Sequence, residues 1–468
     1  MSLESILVVF NWASLLYLVG ITAGYLTLDL IAMVYLHRYM AEHVLDGFPQ
    51  ACTGFEPQIS ILVPAYNEEA TIAASLRSLL QLTYSEYEII AINDGSNDRT
   101  MEVLIDEFRL TPFPETYDRR LATKPLRAVY TSARYPNLRV IDKVNGGKAD
   151  ALNVGINLSR YPLFCCIDAD SVLERDSLRR VVQPFLNDAR TIASGGTIRI
   201  ANGCEAKNGF LTKVGLPSNW LALFQLVEYL RAFLFGRVGW SPLNAVLIIS
   251  GAFGVFHKDT VVSVGGYRRD TIGEDMELIV RMHRVMRLER KPYRITFVPD
   301  PVCWTEAPED FATLRNQRIR WQRGLCESLS KNIELLCHPH GGTAGWLAFP
   351  FMILFEMIGP VVEIFMYVFL IAAFALGYLS LHTWLTLLVL VISLGVLLSI
   401  SALLLEELSF HLYPNSKQLL LLALTAVAEN FGYRQVNSWW KLVGMYRWIA
   451  GKKGQWGRMT RNAAWQAR

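Results

Sequence analysis

No two cysteines in this 468-residue chain stand in a CxxC pair. The seven present (Cys52, Cys165, Cys166, Cys204, Cys303, Cys326 and Cys337) are odd in number, which fits no complete disulfide framework, and they offer no zinc site. A reduced, cytosolic setting is expected. An excess of one charge is missing too: 45 Lys and Arg face 42 Asp and Glu, a net of +3, so no global field points to nucleic acid. His257, His283 and His338 have no partner spacing and read as structural. There is no internal repeat and no low-complexity segment.

What the chain has in excess is apolar residues, 52% of the total, high for a purely soluble protein, and the excess lies at the two ends. Residues 10–36 are apolar apart from small polar side chains and Asp29, more than the roughly 20 residues a spanning helix needs. Glu4 stands where a signal peptide carries basic residues, and no small-residue cleavage motif follows, so a retained span is expected. His37 and Arg38 close it, and positive charge there places the next domain on the cytoplasmic side of a cell (inner) membrane. Near the C-terminus, the apolar run 346–379 is interrupted by Gly359-Pro360 and carries Glu356 and Glu363 around the break. The expectation is an interfacial amphipathic helix leading into a span over 359–379. Residues 381–405 form the cleanest span, whereas 419–431 are short for one. The tail 441–468 is basic and Trp-rich; the positive-inside rule places it in the cytoplasm, while a count of spans places it outside. The expected division is a membrane segment over 1–40, a cytoplasmic domain over 41–339, and interfacial helices with further spans over 340–468.

In the middle domain an apolar run at 59–63, the turn Pro64-Ala65-Tyr66-Asn67-Glu68 and a helical period over 71–82 come first. A second run at 87–92, the turn Asn93-Asp94-Gly95-Ser96 and a helical period over 99–108 follow. Strands alternating with helices imply an α/β fold with a mostly parallel sheet, whose ligands bind beyond the carboxyl ends of the strands. Asp94 falls at one such end. At another, LFCCIDADSVL (163–173) ends a buried-strand pattern in Asp168 and Asp170; alternation along a strand sends both carboxylates to one side, where something positive should balance them. Residues 110–138 lack a clear period and read as a loop or excursion, with Arg119, Arg120, Lys124 and Arg127 on a solvated face.

Six motifs occur in order: PAYNEE from Pro64, NDGSND from Asn93, NGGKADALN from Asn145, DAD from Asp168, GED from Gly273 and QRIRW from Gln317. Together they resemble the processive family 2 glycosyltransferases. The chain looks like their poly-β-1,6-N-acetylglucosamine synthase branch, related to hyaluronan, chitin and cellulose synthases. The resemblance spans nearly the whole chain and implies a GT-A-type nucleotide-sugar-binding domain flanked by transmembrane helices. Two positions depart from the pattern: Asn93, where the family carries an acidic residue, and Gly273, where many members carry Thr.

The resemblance also assigns residues. Ala65, Glu68 and Asp94 would hold the uridine, Asp170 the metal, and Asp168 the nucleotide-sugar side. Breaking the donor's sugar bond leaves charge on its diphosphate; Mg²⁺ (or Mn²⁺) held by one or two carboxylates and phosphate oxygens suits that task. Lys148 follows Gly146-Gly147 and opens a helix, a position from which it meets the diphosphate or its sugar. Glu274 and Asp275 open an apolar-periodic helix, where acidic residues also complement the helix N-terminus; the resemblance makes Asp275 the general base of a single inverting displacement. Gln317, Arg320 and Trp321 share a helix face while Arg318 and Arg323 turn elsewhere. Trp321 is core by its spacing alone, and by the resemblance stacks under the acceptor sugar, with Gln317 and Arg320 near the diphosphate. The expected activity is transfer from a UDP-sugar, most simply UDP-N-acetylglucosamine, to a growing β-linked polysaccharide. Transfer of one sugar to a lipid acceptor, giving a glycolipid, is the alternative. A non-catalytic export or regulatory subunit is opposed by intact carboxylates at every motif. Expected partners are the donor, the acceptor, membrane lipids and export or regulatory subunits, with no nucleic acid.

Overall fold

A computed structural model describes residues 3–44, 56–207 and 209–452. Among these, the buried β-branched runs at Ile59–Ala65 (β1) and Tyr87–Asn93 (β2) are strands, as their composition requires. The others are Leu110–Pro112 (β3), Leu126–Ser132 (β4), Leu138–Lys143 (β5), Leu163–Ile167 (β6), Val172–Leu173 (β7), Thr191–Ile200 (β8), Glu205–Lys207 (β9), Phe210–Lys213 (β10), Phe253–His257 (β11) and Arg294–Thr305 (β12). β9 and β10 pair as a separate ribbon, and the remaining ten form one sheet in the order β3-β4-β5-β2-β1-β6-β11-β8-β12-β7.

The sheet is mixed. Its centre, β5-β2-β1-β6, is parallel, and β8 pairs parallel with β12, but β11 lies antiparallel between β6 and β8. Because Phe253 at the start of β11 pairs with Ile167 at the end of β6, the inserted strand carries residues 250–252 to the carboxyl edge of the sheet. Residues 110–138, expected as a loop, instead supply the edge pair β3 and β4. Half-exposed edge strands need no apolar run, so their sequence shows little period.

Three helices among the described residues are long and apolar enough to cross a membrane: Trp12–Ala41, Ala344–Ala375 and Leu381–Ser409. Within the second, a bend at Ile358 interrupts the helical turns where a break was expected, and a helix begins anew at Gly359. The proline sits in the first turn of the helix Gly359–Ala375, where its missing N–H is tolerated, and π-helical turns at Ala344–Ala348 and Met352–Met357 absorb the irregularity before it. Ser416–Ala428, at 13 residues, is too short to span. Of the basic tail, residues 453–468 lie outside the described residues. Ion pairs tie the middle of the chain to the C-terminal helices: Arg199 of β8 to Glu406, both buried, and the partly buried Arg231 to Glu429.

Candidate active site

Two turns at the carboxyl edge are stitched to each other before any ligand enters. Asp94 N–H donates to the Ala65 carbonyl (2.9 Å), Asn67 N–H to Ser96 Oγ (3.0 Å), Glu68 N–H to Thr100 Oγ1 (2.9 Å) and Asn97 N–H to Asn67 Oδ1 (2.9 Å). The Asp94 carboxylate is buried and accepts from Lys143 Nζ and from the backbone N–H groups of Gly146 (3.0 Å) and Gly147 (2.7 Å). Burial raises its pKa, against the opposing pull of Lys143 and the two N–H groups. Lys143 is itself fully buried and also pairs with Asp150 (2.9 Å). Gly147 enters the helix Lys148–Leu158 at φ +88°, a conformation that favours glycine, and so aims Lys148 back across the edge.

Lys148 Nζ donates to Asp168, giving that carboxylate the cation its position calls for. Burial disfavours the ammonium charge, but Asp168, Glu274 and Asp275 together outweigh it and hold the Lys148 pKa above the ordinary value. Asp168 and Asp170 lie in the turn after β6, so strand alternation does not orient them; Asp170 is buried. The described residues contain no cluster of three or more His, Cys, Asp or Glu side chains with metal-ligand geometry. The protein thus offers one or two carboxylates here, the donor set Mg²⁺ uses when phosphate oxygens supply the rest, and the residues present fit such an ion.

From a separate helix, and close to Lys148, Asp275 Oδ2 accepts the Gly251 N–H (3.0 Å) and Oδ1 accepts the Met276 N–H (2.8 Å), which fixes the carboxylate while leaving lone pairs on both oxygens; Lys148 Nζ reaches the carbonyl of the same Gly251 (3.5 Å). Glu274, beside it, is buried, and burial pushes its pKa up to about 7, with Lys148 opposing and Asp275 reinforcing the shift. The helix Glu274–Leu288 crosses Phe311–Lys331 with glycine on glycine: a Cβ on Gly273 would stand 2.8 Å from Gly324 Cα. That contact accounts for Gly273 at the position where many members of the resembled family carry Thr. Asn93 has a similar local reason, since its Nδ2 donates to Asp142 (2.8 Å), where a second carboxylate would be repelled.

Ala65, Glu68, Asp94, Lys148, Asp168, Asp170, Glu274, Asp275, Gln317, Arg320 and Trp321 all line one cavity of about 1980 Å³. Trp321 is 43% exposed, so it is not core. One face of its ring is covered by Arg318, at 4.5 Å, and Tyr229 meets it edge-on at 6.5 Å; Arg318, expected to turn elsewhere, also pairs with Glu228 (2.8 Å). Sequence reasoning missed Lys143, Asp150 and Gly251. The Lys-x-x-Gly-Gly spacing before Lys148 was a signal for the first, whereas nothing local marks Gly251, which depends on the antiparallel β11. His283 is buried, bonded to Tyr293 Oη (2.7 Å) and the Val246 carbonyl (2.9 Å), a structural role.

Residues 60–214 match the family model for glycosyl transferase family 2, and residues 163–399 match that for glycosyl transferase family group 2. The chain belongs to the family 2 glycosyltransferases. Among curated proteins this family 2 chain is 32% identical over 275 residues to a poly-beta-1,6-N-acetyl-D-glucosamine synthase of Staphylococcus epidermidis, a match covering 58% of the chain and 56% of the relative. It is 32% identical over 277 residues to the synthase of that name from Staphylococcus aureus strain COL, with the same shares. The chain thus spans about half the length of the curated relatives it matches. Among solved structures, a mannosyltransferase from Pyrobaculum calidifontis in complex with GDP-Man and Mn²⁺ superposes with a TM-score of 0.53 at 17% identity, covering 93% of this chain and 99% of that one. That likeness is one of fold, of the GT-A type.

Proposed function

We propose that this glycosyltransferase moves N-acetylglucosamine from UDP-N-acetylglucosamine, with inversion, onto a growing β-linked polysaccharide at the membrane, its catalytic domain in the cytoplasm. The observation that carries the reading is one shared cavity: carboxylates and a lysine from separate turns line it together with Asp275, and its walls continue into the membrane helices through Tyr17, Gly359, Met366 and Leu398. Its volume exceeds the roughly 300–1,000 Å³ of small-ligand sites, leaving room for an acceptor of several sugars beside the donor. The names of the curated relatives support the sugar, and His37 with Arg38 supports the side.

In this reading Asp94 and the Ala65–Glu68 turn hold the uridine. Asp170, with Asp168 beside it, would hold a divalent metal, which supplies charge neutralisation at the diphosphate. Lys148 is poised to donate to the leaving group. Asp275 takes the proton of the acceptor hydroxyl, and because attack and departure occur on opposite sides in one displacement, the anomeric centre inverts with no carboxylate nucleophile. Trp321 offers its uncovered face to the acceptor. Asp275→Asn keeps the shape of the site and loses the base: UDP affinity should stay near wild type while turnover falls by about 10²-fold or more. Equal loss of UDP binding would mean that this carboxylate holds the site together and that the base lies elsewhere.

A further inference from the structure

Arginines around the cavity differ in how their guanidinium groups are satisfied. Arg231 pairs with Glu429 and Ser399, Arg318 with Glu228, and Arg434 donates to Asn430 Oδ1 (3.0 Å). Arg237 borders the same cavity, but its Nε and Nη1 are buried and make no hydrogen bond among the described residues. Its guanidinium lies over the Phe233 ring at 3.8 Å. Stacking of this kind engages the face of the group and leaves the in-plane N–H donors unused.

The backbone here is specialised. Arg231–Phe235 is a π-helical turn, in which Gly236 N–H reaches the Arg231 carbonyl (3.1 Å), and Val238 N–H likewise reaches the Phe233 carbonyl (3.1 Å). Such turns are rare, re-aim the side chains that follow, and recur at functional sites. This one ends just before Arg237, which lines the cavity and is drawn to Tyr229 and Asp275, and Tyr229 in turn meets the Trp321 ring edge-on. Arg237 remains a cation at neutral pH, although burial lowers its pKa to about 10 against the attraction of Tyr229 and Asp275.

We propose that Arg237 is a binding residue for the acceptor, donating its in-plane N–H groups to a hydroxyl or acetamido carbonyl oxygen of the sugar that Asp275 deprotonates. The inference rests on the reading of the cavity as a glycosyltransferase site. Lys148, the donor-side cation of that reading, is already paired with Asp168, whereas Arg237 is drawn to Tyr229 and Asp275 with its Nε and Nη1 unengaged among the described residues. Turning the guanidinium edge toward the cavity breaks no hydrogen bond of Nε or Nη1, because neither makes one among the described residues.

The test uses the full chain in detergent, as wild type, Arg237→Lys and Arg237→Met. UDP affinity, hydrolysis of UDP-N-acetylglucosamine without acceptor, and transfer to a soluble β-1,6-linked N-acetylglucosamine oligosaccharide are measured for each. UDP affinity and hydrolysis should stay within about 2-fold of wild type, while KM for the oligosaccharide rises about 10-fold or more in Arg237→Met and less in Arg237→Lys. If Arg237→Met is lost from the membrane fraction, Arg237→Lys alone carries the comparison. An unchanged oligosaccharide KM overturns the proposal, as does loss of UDP binding in both variants, which would make Arg237 a donor-side or packing residue. Wild-type protein that uses no UDP-sugar would overturn the underlying function instead.

Discussion

Glu274 shows at the residue scale how burial changes chemistry that the letter alone leaves open. Its pKa is raised from 4.5 to about 7, so the folded chain holds a proton that the unfolded chain has released. A raised folded pKa gives stability that is fully present below about pH 4.5 and lost as pH climbs to about 7. Glu274→Gln stays neutral throughout, so its Tm relative to wild type should rise across that window and level off above it. A relative Tm that is flat or falls between those pH values would contradict the burial account. In the proposed function, Trp321 separates acceptor holding from donor chemistry. With one ring face covered by Arg318 and the residue 43% exposed, the free face is available to a sugar. Trp321→Ala should lose chain extension while hydrolysis of the donor persists, since water needs no platform; disappearance of the variant from the membrane would show that the ring packs instead. The positions of these residues around one cavity were legible from the order of six motifs. The cover on Trp321 was not, because the i−3 position that places Arg318 over it is also compatible with a solvent-facing arginine.

At the scale of elements, the crossing of Glu274–Leu288 with Phe311–Lys331 sets the distance between Asp275, the proposed base, and Trp321, the proposed acceptor platform. A Cβ added at Gly324 would stand 2.9 Å from Gly273 Cα, a contact that backbone cannot yield cheaply. Gly324→Ala should push the helices apart at a cost of about 1–3 kcal/mol, seen as a lowered Tm. Turnover should fall by about 10-fold or more with UDP binding retained, since small misplacements of a base are expensive. Full activity in Gly324→Ala would show that the crossing does not set the geometry. Alternating strand and helix patterns made the β1, β2 and β6 units readable in advance. Three features escaped the pattern for physical reasons: β3 and β4 are half-exposed edges without an apolar run, β11 is long-range and antiparallel, and Asp168 and Asp170 sit past the end of their strand.

For the whole molecule, the issue is how the proposed nucleotide-sugar site and the helices long enough to cross a membrane share one cavity. Apolar runs announced the spans, but not the buried pair Arg199–Glu406 that fastens one of them to the sheet, nor the pair Arg231–Glu429 that holds the C-terminal helices to the π-helical turn, since ion-pair partners 207 and 198 residues apart leave no local signature. A cavity of about 1980 Å³ running from Asp94 to Leu398 suits a chain that grows at one end and moves along the other. The measurement that tests this most directly is the size of the product. Purified wild-type protein in detergent is incubated with radiolabelled UDP-N-acetylglucosamine and Mg²⁺, and the labelled material is resolved by length. The account predicts a polymer of many sugars, absent in Asp275→Asn; label confined to a single sugar on a lipid, or no transfer at all, would contradict it.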